Sequence, residues 1–366
     1  MDPGAPAPAE GKLMTTPPPG RAPTQRDVAR HAGVSRALVS MVIRGVGPVS
    51  EDKHRAVTRA IAELGYRANA AGQLLASRQP RVIGVVARSL VNPFYGEVLQ
   101  ALQAAALTRG YRTLVESSCN DPTQERSACE SLLGLRIAGL ALIAPLSPDD
   151  DLARLARQLP LVVIGRDTSA WGIDSVEVDE HHGGRLATDH LIERGHRAVT
   201  YVDAAPHAQG WSSRERRAGF LSAMADAGLS AGARVVAEVD ECSPPSAAEL
   251  LGVGGRASGP DGGRATAVFA HDDLCAIGVE RVLRSAGLSI PGDVAVVGYD
   301  DTRLAAIGPV GLTSVHQPCQ AEGHQAAEAL LRRIEDRGAP GEGTRTPGAP
   351  LDHRVLTPHL VVREST

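Results

Sequence analysis

The chain is poor in aromatic residues, with three Phe, five Tyr and two Trp among 366 positions. A ligand platform built on ring stacking must therefore draw on very few side chains. Cysteine is scarce and odd in number: Cys119, Cys129, Cys242, Cys275 and Cys319 include no C-x-x-C pair and no zinc spacing. Neither a disulfide framework nor a structural metal is expected, and a reducing cytoplasm fits this usage. No run of about 18 apolar residues occurs, which excludes a membrane-spanning helix. Residues 1–23 lack the apolar segment of a secretory signal. Catalytic signatures are missing too. There is no G-x-S-x-G elbow, no H-E-x-x-H pair and no Walker loop, and His181-His182 has no carboxylate at metal-ligand spacing. Gly252-Val253-Gly254-Gly255 follows no strand and leads to no Gly-Lys-Ser/Thr, so phosphate binding is not expected there. An enzyme, a cofactor and a metal are all disfavoured.

What is present is ordinary globular composition, 43% hydrophobic and 22% charged, in a chain long enough for two or three domains. The net charge of −4 conceals an asymmetry. Between Arg21 and Arg81 stand ten Arg and one Lys against Asp27, Glu51, Asp52 and Glu63. Residues 82–366 hold 26 basic against 36 acidic side chains. A basic head on an acidic body suggests a small polyanion-binding unit joined to a larger domain with another task; the alternative is a solvated Arg-rich face.

Residues 1–23, with seven Pro and no periodic apolar pattern, read as a disordered tail. Structure is predicted to begin at Thr24, where Thr24-Gln25-Arg26-Asp27 forms a capping box for a helix that ends at Gly33. Ser35 caps a second helix, closed by Gly45, Gly47 and Pro48 after Arg44. Ser50 caps a third, in which Val57, Ile61 and Leu64 repeat at helical spacing before Gly65. Three short helices, the first two joined by a tight glycine turn, describe a helix-turn-helix domain over 24–66. A linker over 67–80 follows. From Arg81, short β-branched strands alternate with Ala/Leu-rich helices, at 82–87, 112–116, 138–144, 161–164, 198–202, 234–239, 266–270 and 294–298. That alternation predicts an α/β core of two doubly wound parallel-sheet lobes over 81–366. Lobe one is expected at about 81–165 and 318–348, and lobe two at about 166–317 and 349–366. Gly252 to Arg264 and Arg337 to Pro350 read as surface loops.

On the second helix, Arg36, Ala37, Ser40, Met41 and Arg44 share one face, while Leu38, Val39, Val42 and Ile43 can pack inward. A buried side opposite a face with two Arg and a Ser suits a major-groove helix, where Arg pairs with guanine and Ala or Met touches a thymine methyl. The run Gln25-Arg26-Asp27-Val28-Ala29-Arg30-His31-Ala32-Gly33-Val34-Ser35-Arg36-Ala37-Leu38-Val39-Ser40 resembles the N-terminal signature of the lac-repressor (LacI/GalR) family of bacterial transcription regulators. The resemblance continues through Ala60-Ile61-Ala62-Glu63-Leu64-Gly65-Tyr66-Arg67-Ala68-Asn69, Asn92-Pro93-Phe94, Glu193-Arg194-Gly195-His196, Arg216-Arg217-Ala218-Gly219-Phe220, Val297-Gly298-Tyr299-Asp300-Asp301 and His316-Gln317-Pro318 to the closing Leu360-Val361-Val362-Arg363.

This resemblance implies DNA contacts from Thr24, Ser35, Arg36, Ala37, Ser40, Met41, Arg44 and Asn69. It also implies a hinge helix whose Leu75 enters the minor groove as a wedge and bends the duplex. The alternative for Leu74 and Leu75 is interdomain packing. Gly72 replaces the usual Ala, which should weaken an isolated hinge helix by about 1 kcal/mol. Leu38 and Met41 depart from the common Thr and Arg, so an altered base preference or a lower affinity is expected. The core is implied to be a periplasmic-binding-protein-like fold holding a small-molecule effector, sugar or sugar-like, between its lobes.

Five residues are expected at that effector: Phe94, Arg216, Asp272, Asp300 and Gln317. Carboxylates, an amide and an Arg converging on a cleft suit paired hydroxyls. For Phe94 the alternative is core packing, and for each polar residue a salt bridge or a strand-end cap. The family's aromatic lid falls at Val239, Asp240 and Glu241, and Trp211 is the remaining aromatic candidate for that contact. The expected protein is a cytoplasmic repressor that binds a pseudo-palindromic operator as a homodimer, without membrane association. An activator or corepressor-dependent regulator of the same family is the alternative, and a cytoplasmic sugar-binding module a distant one.

Overall fold

The computed structural model describes residues 21–67, 81–240, 243–253, 264–307, 311–338 and 351–366. The chain divides into two compact units between Ser77 and Arg78. The expected N-terminal tail up to residue 20, the hinge from 68 to 80 with Asn69, Gly72, Leu74 and Leu75, Glu241, Cys242 and most of both glycine-rich loops lie outside the described residues.

Among the described residues the first unit has three helices, α1 (Gln25–His31), α2 (Arg36–Arg44) and α3 (Glu51–Leu64). Their boundaries follow from local chemistry. The Thr24 hydroxyl accepts from the Asp27 N–H, and the Asp27 carboxylate accepts from the Thr24 N–H at 2.9 Å and from its hydroxyl at 2.6 Å. Those bonds, with the Arg21 guanidinium, hold the Asp27 carboxyl down at about 2. Ser35 accepts from the Leu38 N–H at 3.2 Å to start α2, and Gly45, at φ +64°, ends it. Ser50 differs from expectation: it precedes α3 but makes no side-chain capping bond, and Glu51 and Asp52 meet the positive helix end instead. Val28, Ala29, Val39, Val57 and Ala60 form the buried centre, with Leu38, Val42, Ile43 and Ile61 packed around it.

The second unit holds two six-stranded sheets. Its strands are β1 (Val82–Ala87), β2 (Arg112–Ser117), β3 (Gly139–Ile143), β4 (Leu161–Ile164), β5 (Asp174–Val178), β6 (Val199–Asp203), β7 (Ala233–Ala237), β8 (Ala267–Ala270), β9 (Ala295–Asp300), β10 (Thr313–His316), β11 (His353–Leu356) and β12 (His359–Val361). Sheet one has the order β11-β5-β4-β3-β1-β2 and sheet two β12-β10-β9-β8-β6-β7. All pairings are parallel except β10 with β12. The helices are α4 (Pro93–Thr108), α5 (Pro122–Gly134), α6 (Asp149–Gln158), α7 (Glu180–Glu193), α8 (Trp211–Asp226), α9 (Ala247–Leu251), α10 (Asp273–Ser285), α11 (Arg303–Ile307) and α12 (Cys319–Gly338).

The chain first crosses between lobes after Val178, later than the sequence suggests. The strands β5 and β11, expected in lobe two, belong to the sheet of lobe one. Their polar residues hide the strand pattern because they are buried in pairs. Asp174 takes a two-pronged bond from Arg333 at 2.6 and 2.8 Å, and the Ser175 hydroxyl meets His353 Nδ1 at 2.9 Å. Packing across lobe two is close where α7 crosses α8. A Cβ on Gly183 would meet the Tyr299 ring, one on Gly184 the Arg216 carbonyl, and one on Gly219 the His181 carbonyl.

Candidate functional site

Two surfaces carry chemistry. In the helical unit, Arg36 and Ala37 are exposed on α2, whereas Ser40 and Met41 are half-buried. The Met41 thioether folds back towards Gly47, so its methyl is already in contact with the protein. Thr24 and Ser35 are exposed at the starts of α1 and α2, both with their hydroxyls engaged in capping. The backbone of Arg44 is the last turn of α2. Arg36 and Ala37 thus form the open part of the predicted face.

In the core, all five sequence-predicted effector residues line one cleft between the sheets. Parallel strands in doubly wound sheets direct their carboxyl ends to such a crevice. Asp300 closes β9, Gln317 follows β10, and Asp272 follows β8 and caps α10 by accepting from the Cys275 N–H at 2.7 Å. Phe94 sits in the first turn of α4, edge-on to Tyr95 at 5.3 Å, and also belongs to the buried core of lobe one. Its ring therefore serves core packing as well as the cleft wall.

Arg216 is the electrostatic centre of lobe two. Its Nε and Nη2 fork onto Glu180 at 2.7 and 2.8 Å, and Nη1 donates to the His271 carbonyl at 2.7 Å. The guanidinium lies 3.7 Å over the Tyr299 ring and 3.7 Å from Asp300. Burial opposes its charge, but Glu180, Tyr299 and Asp300 outweigh that and hold its pKa well above the ordinary value. Asp300, at φ +94°, accepts from Gln317 Nε2 at 2.6 Å. Burial pushes its carboxyl up to about 7 against the pull of Arg216, with the Asp272 charge adding to the rise. Near neutral pH this group can therefore either accept or donate a hydrogen bond.

Asn92 joins the lobes, a role that its motif did not reveal. Its Oδ1 caps α4 at the Phe94 N–H, 2.9 Å away, while Nδ2 reaches Asp272 at 3.0 Å and Asp300 at 3.1 Å. Other wall residues missed from sequence are Arg88, Tyr95, Glu180, Glu238 and His271. Arg88 and His271 each directly follow a strand, β1 and β8, and that position was the available signal. Arg88 Nε donates to the Ala144 carbonyl at 2.7 Å. His271 Nε2 meets Glu238 at 3.0 Å; burial opposes charge on the imidazole, but Asp272 and Glu238 outweigh it and raise the group to about 9. The lid position behaves differently from expectation: Val239 points to solvent, and Glu238 reaches the cleft instead. Trp211 opens α8 and is not among the cleft residues, because the helix start carries it away from the cavity wall formed by Ser212, Ser213 and Arg216. Among the described residues no helix is long and apolar enough to cross a membrane.

A three-helix unit with an exposed Arg on its second helix, joined to two doubly wound lobes around a polar cleft, defines a ligand-responsive DNA-binding regulator. Known proteins agree. Residues 24–69 match the bacterial regulatory proteins of the lacI family, and residues 188–366 match the periplasmic binding protein-like domain. The HTH-type transcriptional regulator GalR of Escherichia coli (strain K12) is 33% identical over 342 residues, 92% of this chain and 97% of GalR. The crystal structure of the lac repressor dimer bound to operator and the anti-inducer ONPF aligns with a TM-score of 0.75 at 25% identity, covering 94% of this chain and 99% of that one. The complex of the transcriptional regulator CelR with cellobiose aligns at 0.63 and 30% identity, covering 94% of this chain and all of that one, 100%. The chain belongs to the lacI family of bacterial regulatory proteins and is a DNA-binding transcription regulator with an effector-binding core.

Proposed function

We propose that this regulator is a cytoplasmic repressor without catalytic activity, which binds a pseudo-palindromic operator as a homodimer and responds to a polyhydroxylated effector. Arg36, Ala37, Ser40, Met41 and Arg44 read the major groove, with Thr24 and Ser35 at the phosphates. Asn69 and Leu75 act in the hinge at the operator centre. Phe94, Arg216, Asp272, Asp300 and Gln317 hold the effector. The observation that carries this reading is the convergence of two carboxylates, an amide and a guanidinium on one cleft whose walls come from both lobes. Carboxylates and amides grip adjacent hydroxyls in pairs, and a ligand bound to both lobes favours one inter-lobe arrangement over another. A coupling of about 1–3 kcal/mol suffices to alter operator affinity. The solved complex of the relative CelR with cellobiose supports a sugar-like effector.

The deciding experiment is selection of bound sites from a random duplex pool by the full-length protein, followed by a salt titration on the winner. An inverted repeat with a flexible central step and a steep salt dependence is expected. An enriched site without two-fold symmetry, or no enrichment with and without a panel of sugars, overturns the reading.

A further inference from the structure

We propose that Glu238, His271 and Cys275 form a site for one thiophilic divalent cation, zinc in type, in the lobe-two wall of the cleft. A carboxylate oxygen, an imidazole nitrogen and a sulfur from these residues lie within 4.8 Å of one another. A tetrahedral ion with bonds of about 2.0–2.3 Å holds its donors about 3.3–3.8 Å apart, within reach of this group after small side-chain adjustments. The residues are brought together by the fold rather than by local spacing, since Glu238 stands 33 positions before His271. Glu238 follows β7 and His271 follows β8, strands that flank β6 on either side and run parallel to it. Cys275 lies in the first turn of α10, fixed there by the Asp272 cap.

The surroundings favour a cation. Glu238 is 4% exposed and Cys275 1%. Oε2 of Glu238 meets His271 Nε2, but Oε1 is buried without a hydrogen-bond partner. A buried carboxylate oxygen left unpaired is costly, and an ion bound there would satisfy it. The plain ion pair between His271 and Glu238 accounts for Oε2 alone, and the Cys275 thiol is bonded to the same carboxylate, so all three donor groups converge on one point. The second imidazole nitrogen of His271 faces Asp272 at 3.7 Å, so a carboxylate stands behind the ligating ring as it does at many metal sites. Glu238 and His271 line the cavity whereas Cys275 does not, so the fourth position would open into the cleft. Ion binding near neutral pH would release two protons, one from the thiol and one from the His271 imidazolium, giving a thiolate, a neutral imidazole and a carboxylate, the two anions balancing the charge of the ion. Asp167, Glu177 and His353 form a second group of ligand atoms at this spacing, but it offers no sulfur, and His353 Nδ1 is already bonded to Ser175.

The test is titration of reduced, metal-stripped full-length protein with Co²⁺, followed by Zn²⁺. One equivalent of Co²⁺ with a sulfur-to-cobalt absorption band and tetrahedral ligand-field bands is expected, displaced by Zn²⁺. Cys275→Ser should abolish the sulfur band. The shape-preserving Glu238→Gln should weaken Co²⁺ binding by at least about 10-fold, with an unchanged circular dichroism spectrum, as loss of a ligand costs no less than loss of a supporting residue. No sulfur band, a band that survives Cys275→Ser, or binding abolished by His353→Ala would overturn the proposal. The readout is the metal itself, so failure leaves the regulator reading untouched.

Discussion

Replacing Arg216 with Met keeps most of the side-chain volume and deletes the charge at the centre of lobe two. Glu180 is 4% exposed and Asp300 3%. The substitution strands Glu180 without its two-pronged partner and Asp300 without the cation 3.7 Å away. Removing one member of a buried pair costs about 3–5 kcal/mol, because the remaining charge must be either desolvated or protonated. The double variant Arg216→Met, Glu180→Gln removes both charges and should be less destabilised than the sum, with a coupling in the upper part of the ~0.5–3 kcal/mol range for contacting residues. Urea unfolding followed by tryptophan fluorescence isolates the core, since the two tryptophans, Trp171 and Trp211, both lie there. A single-variant cost below about 1 kcal/mol, or strict additivity in the cycle, would refute the account of Arg216 as a charge that holds two buried carboxylates.

Further outcomes follow from the same geometry. Asp300 is raised to about 7 and Glu322 to about 8, both mainly by burial, with Arg216 lowering both, Asp272 raising Asp300, and Glu180 and Asp300 raising Glu322. Raised carboxyls stabilise the fold when protonated, so stability of the ligand-free core should fall as pH rises from about 4, the ordinary carboxyl value, to about 8, and level off above it. Asp300→Asn should remove the lower step, and a urea midpoint that is flat or rising over that window contradicts the assignment. Arg36→Ala should cost about 1–3 kcal/mol in operator binding and relax preference at one position. An equal loss on every sequence, seen in competition against variant operators, would make Arg36 a phosphate contact instead. Gly184→Ala pushes a methyl into the Arg216 carbonyl and should destabilise the core by about 1–3 kcal/mol. An unchanged thermal midpoint would show that α7 and α8 can separate without loss.

Eight strands are legible as short apolar runs, six of them because they are fully buried, and the half-buried edge strands β2 and β7 through their Leu and Val pairs. The other four are not. In β5 and β10 the polar residues are buried through pairing, as when Ser314 donates to Asp273 at 2.6 Å, and no local pattern announces a partner 41 positions away. The edge strands β11 and β12 hold seven residues between them, too few for a period to register. Asp300 and Gln317 are readable because one closes a strand and the other directly follows one, each within a recognised motif, and Asp272 because it lies two positions past β8. Arg88 and His271 hold equivalent positions without the motif. Glu180 is invisible from sequence, since only the crossing of α7 over α8 brings it to Arg216. The arginine-bearing face of α2 is legible from periodicity, whereas the folding of Met41 onto Gly47 depends on the turn that follows.

The glycines between α7 and α8 have a consequence for how this cleft can change. Backbone contact leaves no slack between the helix that carries Glu180 and the helix that carries Arg216. The lobe-two half of the cleft is therefore a fixed template, and a substitution there is felt first as a folding defect. In the loop from Arg88 to Asn92 the two ends are buried and bonded across the cleft, but Leu90 and Val91 between them are exposed and under no such constraint. New ligand preferences, whether selected in nature or sought by engineering, should accumulate in that loop and leave the arginine helix untouched.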